Sequence, residues 1–185
     1  MSNFDDFFAS LSPALEFVSA ASASNDASID FTLPGTFDEY ELHILNAIPA
    51  TDAVDANLQT SNDGGSTFDS GASDYVWQVL QGFLTAALGD NSTGDTKIVM
   101  NIQPIGNASD EGFSAIVRII RPHEATKTNI AWGDSVYFDI NTARLFIATG
   151  GARRDAAEDA DAVRFKFSSG NITSGLFALY RVNRL

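Results

Sequence analysis

Apolar and polar residues alternate with a period of two along much of this chain. Tyr40, Leu42 and Ile44 alternate with Glu41 and His43, and Ile98, Met100 and Ile102 with Lys97 and Asn101. Val117 and Ile119 flank Arg118, Val136, Phe138 and Ile140 alternate with Ser135 and Asp139, and Val163, Phe165 and Phe167 with Arg164 and Lys166. Leu176, Ala178, Tyr180 and Val182 end the series, with Arg181 outward. Successive side chains of a strand point to opposite faces, so each run predicts a strand with one buried and one wet face. Shorter strand candidates lie near Ile29–Leu33, Ala56–Thr60, Tyr75–Leu80 and Ala143–Thr149. Pro34-Gly35, Asp63-Gly64-Gly65, Ser70-Gly71, Gly89-Asp90-Asn91 and Ser169-Gly170-Asn171 punctuate them and predict turns, because they supply positive φ and side-chain turn bonds. Many short strands joined by such turns predict an all-β protein. The expected form is an antiparallel β-sandwich, jelly-roll-like, of roughly eight to ten strands rather than βαβ units.

The first fourteen residues follow another rhythm. Phe4, Phe7, Phe8 and Leu11 stand at i, i+3, i+4 and i+7, one face of a helix, with Asp5 and Asp6 in the first turn and Pro13 as the stop. Two segments are therefore expected: residues 1–14, a short amphipathic helix and candidate attachment element, and residues 15–185, the sandwich. Ala20–Ser28 is rich in alanine and serine and reads as a flexible loop, and the polar Asp155–Asp161 as an exposed one.

Composition adds limits. There are 185 residues, enough to bury a core without staples, and no cysteine, which removes disulfides, thiolate metal sites and a cysteine nucleophile. The net charge of −13 is unevenly spread: residues 1–96 hold fifteen acids and no Lys or Arg, residues 97–185 nine acids and eleven bases. A surface without cations repels a phosphate backbone, so no nucleic-acid partner is expected. No run approaches the ~20 apolar residues of a membrane helix, so no membrane partner is expected. Met1-Ser-Asn-Phe-Asp-Asp lacks a basic secretory n-region, and synthesis in a cytoplasm is the expectation.

Chemistry-bearing patterns are sparse. His43 falls mid-strand on a wet face and His123 follows Pro122 in a loop; neither has a metal-ligand spacing. Asp63, Asp69 and Asp74 cluster about glycines, and Asp90, Asn91 and Asp95 form a second group, but neither follows the alternating oxygen order that calcium loops use. No catalytic residue, cofactor or metal ligand is assigned, and indifference to chelators is expected. Trp77 and Trp132, with Tyr137, are candidates for a surface aromatic platform that would bind sugar, against the commoner fate of aromatics as core. With twenty-four acids, a carboxylate pair of the glycosidase kind carries little weight.

Three stretches resemble small virion structural proteins of tailed bacteriophages. They are Phe37-Asp-Glu-Tyr-Glu-Leu-His-Ile-Leu-Asn-Ala-Ile-Pro-Ala-Thr-Asp52, Leu58-Gln-Thr-Ser-Asn-Asp-Gly-Gly-Ser-Thr-Phe68 with Tyr75 and Trp77 following, and Ser168-Ser-Gly-Asn-Ile-Thr-Ser-Gly-Leu-Phe-Ala-Leu-Tyr-Arg181. Arg181 departs from the glycine that ends the last motif in those proteins. The resemblance spans roughly residues 28–182. It implies a jelly-roll subunit on the virion exterior, as tail fibre, spike, capsid decoration or cement, without enzymatic activity. The implied partners are capsid or tail subunits and further copies of the chain, a trimer among the expected forms. Phe4, Phe7, Phe8 and Leu11 are the candidate partner-binding residues. The alternatives are a carbohydrate-binding module that reads a host receptor, and a β-sandwich hydrolase.

Overall fold

The computed structural model describes residues 14–83, 86–139 and 144–183. Twelve strands follow one another: β1 (Leu15–Asp26), β2 (Ile29–Thr32), β3 (Glu39–Pro49), β4 (Ala56–Ser61), β5 (Tyr75–Phe83), β6 (Ala86–Asp95), β7 (Ile98–Val99), β8 (Phe113–Ile120), β9 (Asn129–Asp139), β10 (Arg144–Arg154), β11 (Ala162–Phe167) and β12 (Ile172–Val182). They form an eight-stranded sheet in the order β1-β12-β3-β8-β9-β10-β5-β6 and a four-stranded sheet in the order β2-β11-β4-β7. Every pairing is antiparallel. The chain is thus all-β, with two antiparallel sheets and no helix among the described residues. The expected helix carrying Phe4, Phe7, Phe8 and Leu11 lies outside the described residues.

One core joins the sheets. Tyr40, Leu42 and Ile44 of β3, Phe113 and Val117 of β8, and Phe177 and Leu179 of β12 share it with Phe31 of β2, Leu58 of β4 and Val163, Phe165 and Phe167 of β11. Phe165 sits at the centre: its ring lies 6.2 Å from that of Phe113, 5.4 Å from Phe177 and 5.3 Å from Phe167. Large rings at these separations contribute beyond the apolar area they bury.

The alternating runs became β3, β8, β9, β11 and β12, with turns at Gly35, Gly64, Gly65 and Gly170 in the positive-φ region. Four expectations need correction. Ala20–Ser28 is not mainly a loop: β1 continues to Asp26 and pairs with β12 over almost its whole length. Alanine and serine are weak strand formers, so here the partner strand overrides local propensity. Gly89-Asp90-Asn91 is not a turn but the middle of β6, an edge strand. The Ile98–Ile102 strand stops at Val99, because Ile102 and Gln103 donate their backbone N–H groups to Gln81 Oε1 (2.9 and 3.2 Å) instead of to a neighbouring strand. The strand total is also higher than expected, since β1 and β6 were not resolved by periodicity.

Two adjacent glycines of β10 do different work. A Cβ on Gly150 would lie 2.2 Å from Trp132 Cζ2 and 2.6 Å from the Gln78 carbonyl oxygen, so the indole fills the place of a side chain. A Cβ on Gly151 would meet only the Ile130 carbonyl oxygen, at 3.8 Å. Gly150→Ala is expected to cost about 1–3 kcal/mol through overpacking, and Gly151→Ala to stay within about 0.5 kcal/mol of the parent. Urea midpoints of the two variants check this, and equal midpoints would refute it.

Candidate interaction face

The two sheets turn their core-facing residues toward each other, which leaves the other face of the eight-stranded sheet open. Register places the outward residues of β9, β10, β5 and β6 in cross-strand rows. Asn129, Arg153 and Val76 form one row, and Ala131, Gly151, Gln78 and Asn91 the next. Thr149, Leu80 and Gly89 follow, then Val136, Ile147, Gly82 and Ala87. Small residues recur where bulk is usual in a strand: Ala131, Gly133, Gly151, Gly82, Ala87 and Gly89. The missing side chains cut a trough whose walls are the longer neighbours.

The trough changes character along its length. At one end a groove of about 770 Å³ is bordered by Gln78, Asn91, Thr93, Asn129 and Arg153. At the other a groove of about 420 Å³ is bordered by Leu80, Gly82, Ala87, Val136 and Ile147, with Asp134 as its charged member. Gln78, Leu80, Thr149, Gly150 and Gly151 connect them. Ile147 is 62% exposed, Leu145 61% and Leu80 53%, and on neighbouring strands of the same sheet Leu45, Leu176 and Phe17 are also more than half exposed. Large apolar side chains scattered singly are ordinary on a soluble surface; several on one sheet face make it the candidate contact area of this chain.

Trp77 and Trp132 do not furnish a platform on this face. Both point inward and are buried, at 8% and 3% exposure. Trp77 donates Nε1–H to Asp95 Oδ2 at 3.1 Å, while Trp132 packs against Gly150. The physical reason is parity: Trp77 lies between Tyr75 and Val79 on the buried side of β5, and Trp132 follows Ile130 on the buried side of β9.

The acidic turn serves the protein's own cations and backbone. Asp69 Oδ2 accepts from Arg154 Nε at 2.7 Å, Asp74 Oδ1 from Nη1 at 3.2 Å, and Glu158 Oε2 from Nη2 at 3.2 Å. Arg154, which sequence reasoning missed, is thus a buried guanidinium with three carboxylates around it. Asp63 accepts from Thr67 Oγ1, Thr67 N and Ser61 Oγ, and these bonds hold its carboxyl down at about 2. Asp95 receives Trp77 Nε1, Thr96 N and Lys97 Nζ.

Charge is paired across the chain in the same manner. Arg118 bonds Glu39, Arg164 grips Asp30 with two bonds of 2.8 and 2.6 Å, and Arg181 bonds Glu16. Each of these cations comes from the second half and each anion from the cation-free first half. Both sheets interleave strands of the two halves, so the sequence asymmetry does not become a cation-free surface.

The histidines hold local contacts. His43 faces outward beside Glu41 (3.2 Å) and the Tyr180 ring (4.8 Å between centroids). His123 Nδ1 lies 2.9 Å from the Phe37 carbonyl oxygen. Its ring groups with Asp38 and Glu124, ligand atoms within 4.8 Å of one another, but Glu124 also pairs with Arg121. Burial raises the carboxyl of Asp55, which accepts from Asn101 Nδ2 at 3.3 Å and borders none of the trough's grooves.

Beneath the turn, Tyr75 is fully buried. Its hydroxyl accepts from Thr60 N at 2.8 Å and donates to the Asp69 carbonyl at 3.2 Å. Burial pushes this hydroxyl up to about 12, and burial also raises Tyr137. An unfolded tyrosine titrates near 10. Between these values the unfolded chain releases a proton that the folded one keeps, so stability is full below pH ~10 and falls as pH rises toward 12. A pH titration of the urea midpoint is expected to show this alkaline loss, and Tyr75→Phe to weaken it.

No protein-family model matches this chain, and a search among curated proteins finds no match.

Proposed function

We propose that this chain is a non-enzymatic structural subunit on the exterior of a tailed-phage virion, in a tail fibre or spike or as capsid decoration or cement. Its two sheets act as one jelly-roll-like sandwich, the rigid body of the subunit. It works by self-association, as a trimer or another closed oligomer, and by attachment to capsid or tail proteins. The observation that carries this reading is the open face of the eight-stranded sheet, where Leu45, Leu80, Leu145, Ile147 and Leu176 are exposed on a rigid all-β body. A subunit that functions as shape and surface needs such a contact face. The three motifs that resemble virion proteins supply the class.

The experiment is to purify particles from infected cells and probe them for the chain by mass spectrometry, then label its C-terminus for electron microscopy. Stoichiometric presence with label on the outer surface is expected. Absence from washed particles would overturn the reading.

The polar end of the trough favours one second reading, a saccharide-binding module. The side-chain amides of Gln78, Asn91 and Asn129 border a groove floored by Gly151, an arrangement suited to sugar hydroxyls. It lacks the Trp77 and Trp132 platform that would have strengthened it. Glycan-array binding by the parent that Gly151→Trp abolishes would place this reading first.

A further inference from the structure

We infer that the open face of the eight-stranded sheet pairs with the same face of a second copy, about a two-fold axis that runs along the strands between β8 and β9. The inference rests on the self-associating reading above and names its contact. One unbroken register row crosses the whole sheet. Phe17, Tyr180, Glu41 and Arg118 lie on the β1 side of that axis, and Ala131, Gly151, Gln78 and Asn91 on the β6 side. Two residues along the strands, the next row has Ala178, His43 and Ile116 on the first side and Gly133, Thr149 and Leu80 on the second. The third has Leu176, Leu45 and Ser114, then Val136, Ile147 and Gly82. Long side chains thus gather mainly on the β1 side and gaps mainly on the β6 side.

A second copy turned over about this axis keeps every row in place and exchanges the two sides. β12 then lies over β5, β3 over β10 and β8 over β9. Bulk meets gap: Leu176 stands over Gly82, Leu80 over Ala178, Ile116 over Gly133 and Val136 over Ser114, while Leu45 meets Ile147. Facing sheets about 10 Å apart interdigitate in this way. Twist sets such sheets about 30° from aligned, so the match is closest beside the axis, at Ile116 and Gly133. A two-fold across the strands would instead lay the long side chains on one another. An axis midway through the strand order also covers all eight strands. With strands ~4.8 Å apart and three rows ~6.8 Å apart, the footprint is roughly 780 Å², near the ~800 Å² per partner of a stable complex. On this face Glu41 and Asp134 are balanced by Arg118 and Arg153, in a chain of net charge −13. Two copies therefore meet here without the like-charge cost that acidic surfaces impose.

Leu80 and Ala178 lie five strand spacings apart in one chain, roughly 24 Å, and substitutions that far apart act additively within a monomer. The test is sedimentation velocity on the full chain, on Leu80→Ala, on Ala178→Leu and on the two combined. The parent is expected to be a dimer. Each single change is expected to weaken association at least about tenfold, and the combination to recover most of the loss, because it exchanges the two sizes across the contact. A full-length variant with Phe4→Ser, Phe7→Ser and Phe8→Ser is expected to associate as the parent does. Circular dichroism checks that every variant remains a β protein. A monomeric or trimeric parent, or additive losses in the combined variant, would overturn the inference. Association altered by the three serines would also overturn it, by making residues 1–13 the occupant of the face. The coupled dimer in a protein absent from washed particles would uphold it and overturn the subunit reading. A chain present on particles without that coupling would do the reverse.

Discussion

Arg154→Met will lower the stability of the domain by about 3–5 kcal/mol, the usual cost of removing one partner from a buried ion network. Arg154 is buried and its guanidinium is shared by Asp69, Asp74 and Glu158. Methionine keeps most of the volume and removes the charge. The loss then comes from carboxylates left facing one another at the edge of the core. In a chain of this size it corresponds to a fall in melting temperature of roughly 6–20 °C. The contribution of repulsion is separable. Adding Asp69→Asn and Asp74→Asn to Arg154→Met is expected to recover part of the loss, whereas in the parent the two asparagines destabilise. A single variant within about 1 kcal/mol of the parent would show that the cluster is solvated and its burial unimportant.

Gln81→Leu should cost about 2–3 kcal/mol, for a different reason. Three donors converge on one buried oxygen: Tyr137 Oη–H, Ile102 N–H at 2.9 Å and Gln103 N–H at 3.2 Å all reach Gln81 Oε1. Leucine fills the space and removes this shared acceptor: the Tyr137 hydroxyl loses its partner and the two amides keep only the Tyr137 oxygen, and each buried orphan costs about 1–3 kcal/mol. The effect should be concentrated in the segment after β7. Hydrogen exchange at Ile102 and Gln103 is expected to accelerate in the variant under native conditions, and unchanged exchange there would refute the role given to this amide.

Periodicity located the strands that have one wet face and one dry face. β3, β8, β11 and β12 alternate visibly because one side meets the core and the other meets water. It failed where that contrast is absent. The edge strands β1 and β6 are largely exposed on both faces and are built from alanine, serine, glycine and asparagine, so neither composition nor period distinguishes them from loops. β4 is buried on both faces, including Asn57, Gln59, Thr60 and Ser61, because the turn that follows folds back over it: Gln59 Nε2 donates to the Asp69 carbonyl and Asp69 N–H to the Thr60 carbonyl. The open face of the eight-stranded sheet was the least legible part. Leu80 and Ile147 look like ordinary strand apolar residues, and only the register reveals that they share the outward side with a row of glycines. The inward orientation of Trp77 and Trp132 had a local signal, since each shares its parity with an apolar residue two positions earlier. The network around Arg154 had none: Asp69 and Asp74 lie eighty or more residues away in a segment whose acids read as solvated turn, and Glu158, four residues on, falls in a stretch that reads as an exposed polar loop.

The pairing of β1 with β12 carries a consequence for the time at which the fold is completed. Leu15 opposes Val182 and Asp26 opposes Ile172, so the first strand of the sheet waits for the last. Contacts this distant in sequence are slow to form because closure of the intervening chain must precede any gain. During synthesis at about 5–20 residues per second, β1 has no partner until residues 172–182 have left the ribosome, and β3 has only one neighbour in its sheet. A chain interrupted before that point presents two open strand edges in place of the β1-β12-β3 ladder, a surface prone to pair with other interrupted chains. The sheet therefore closes only once β12 has been made, and products truncated before it are expected to separate themselves by precipitation rather than compete with intact chains.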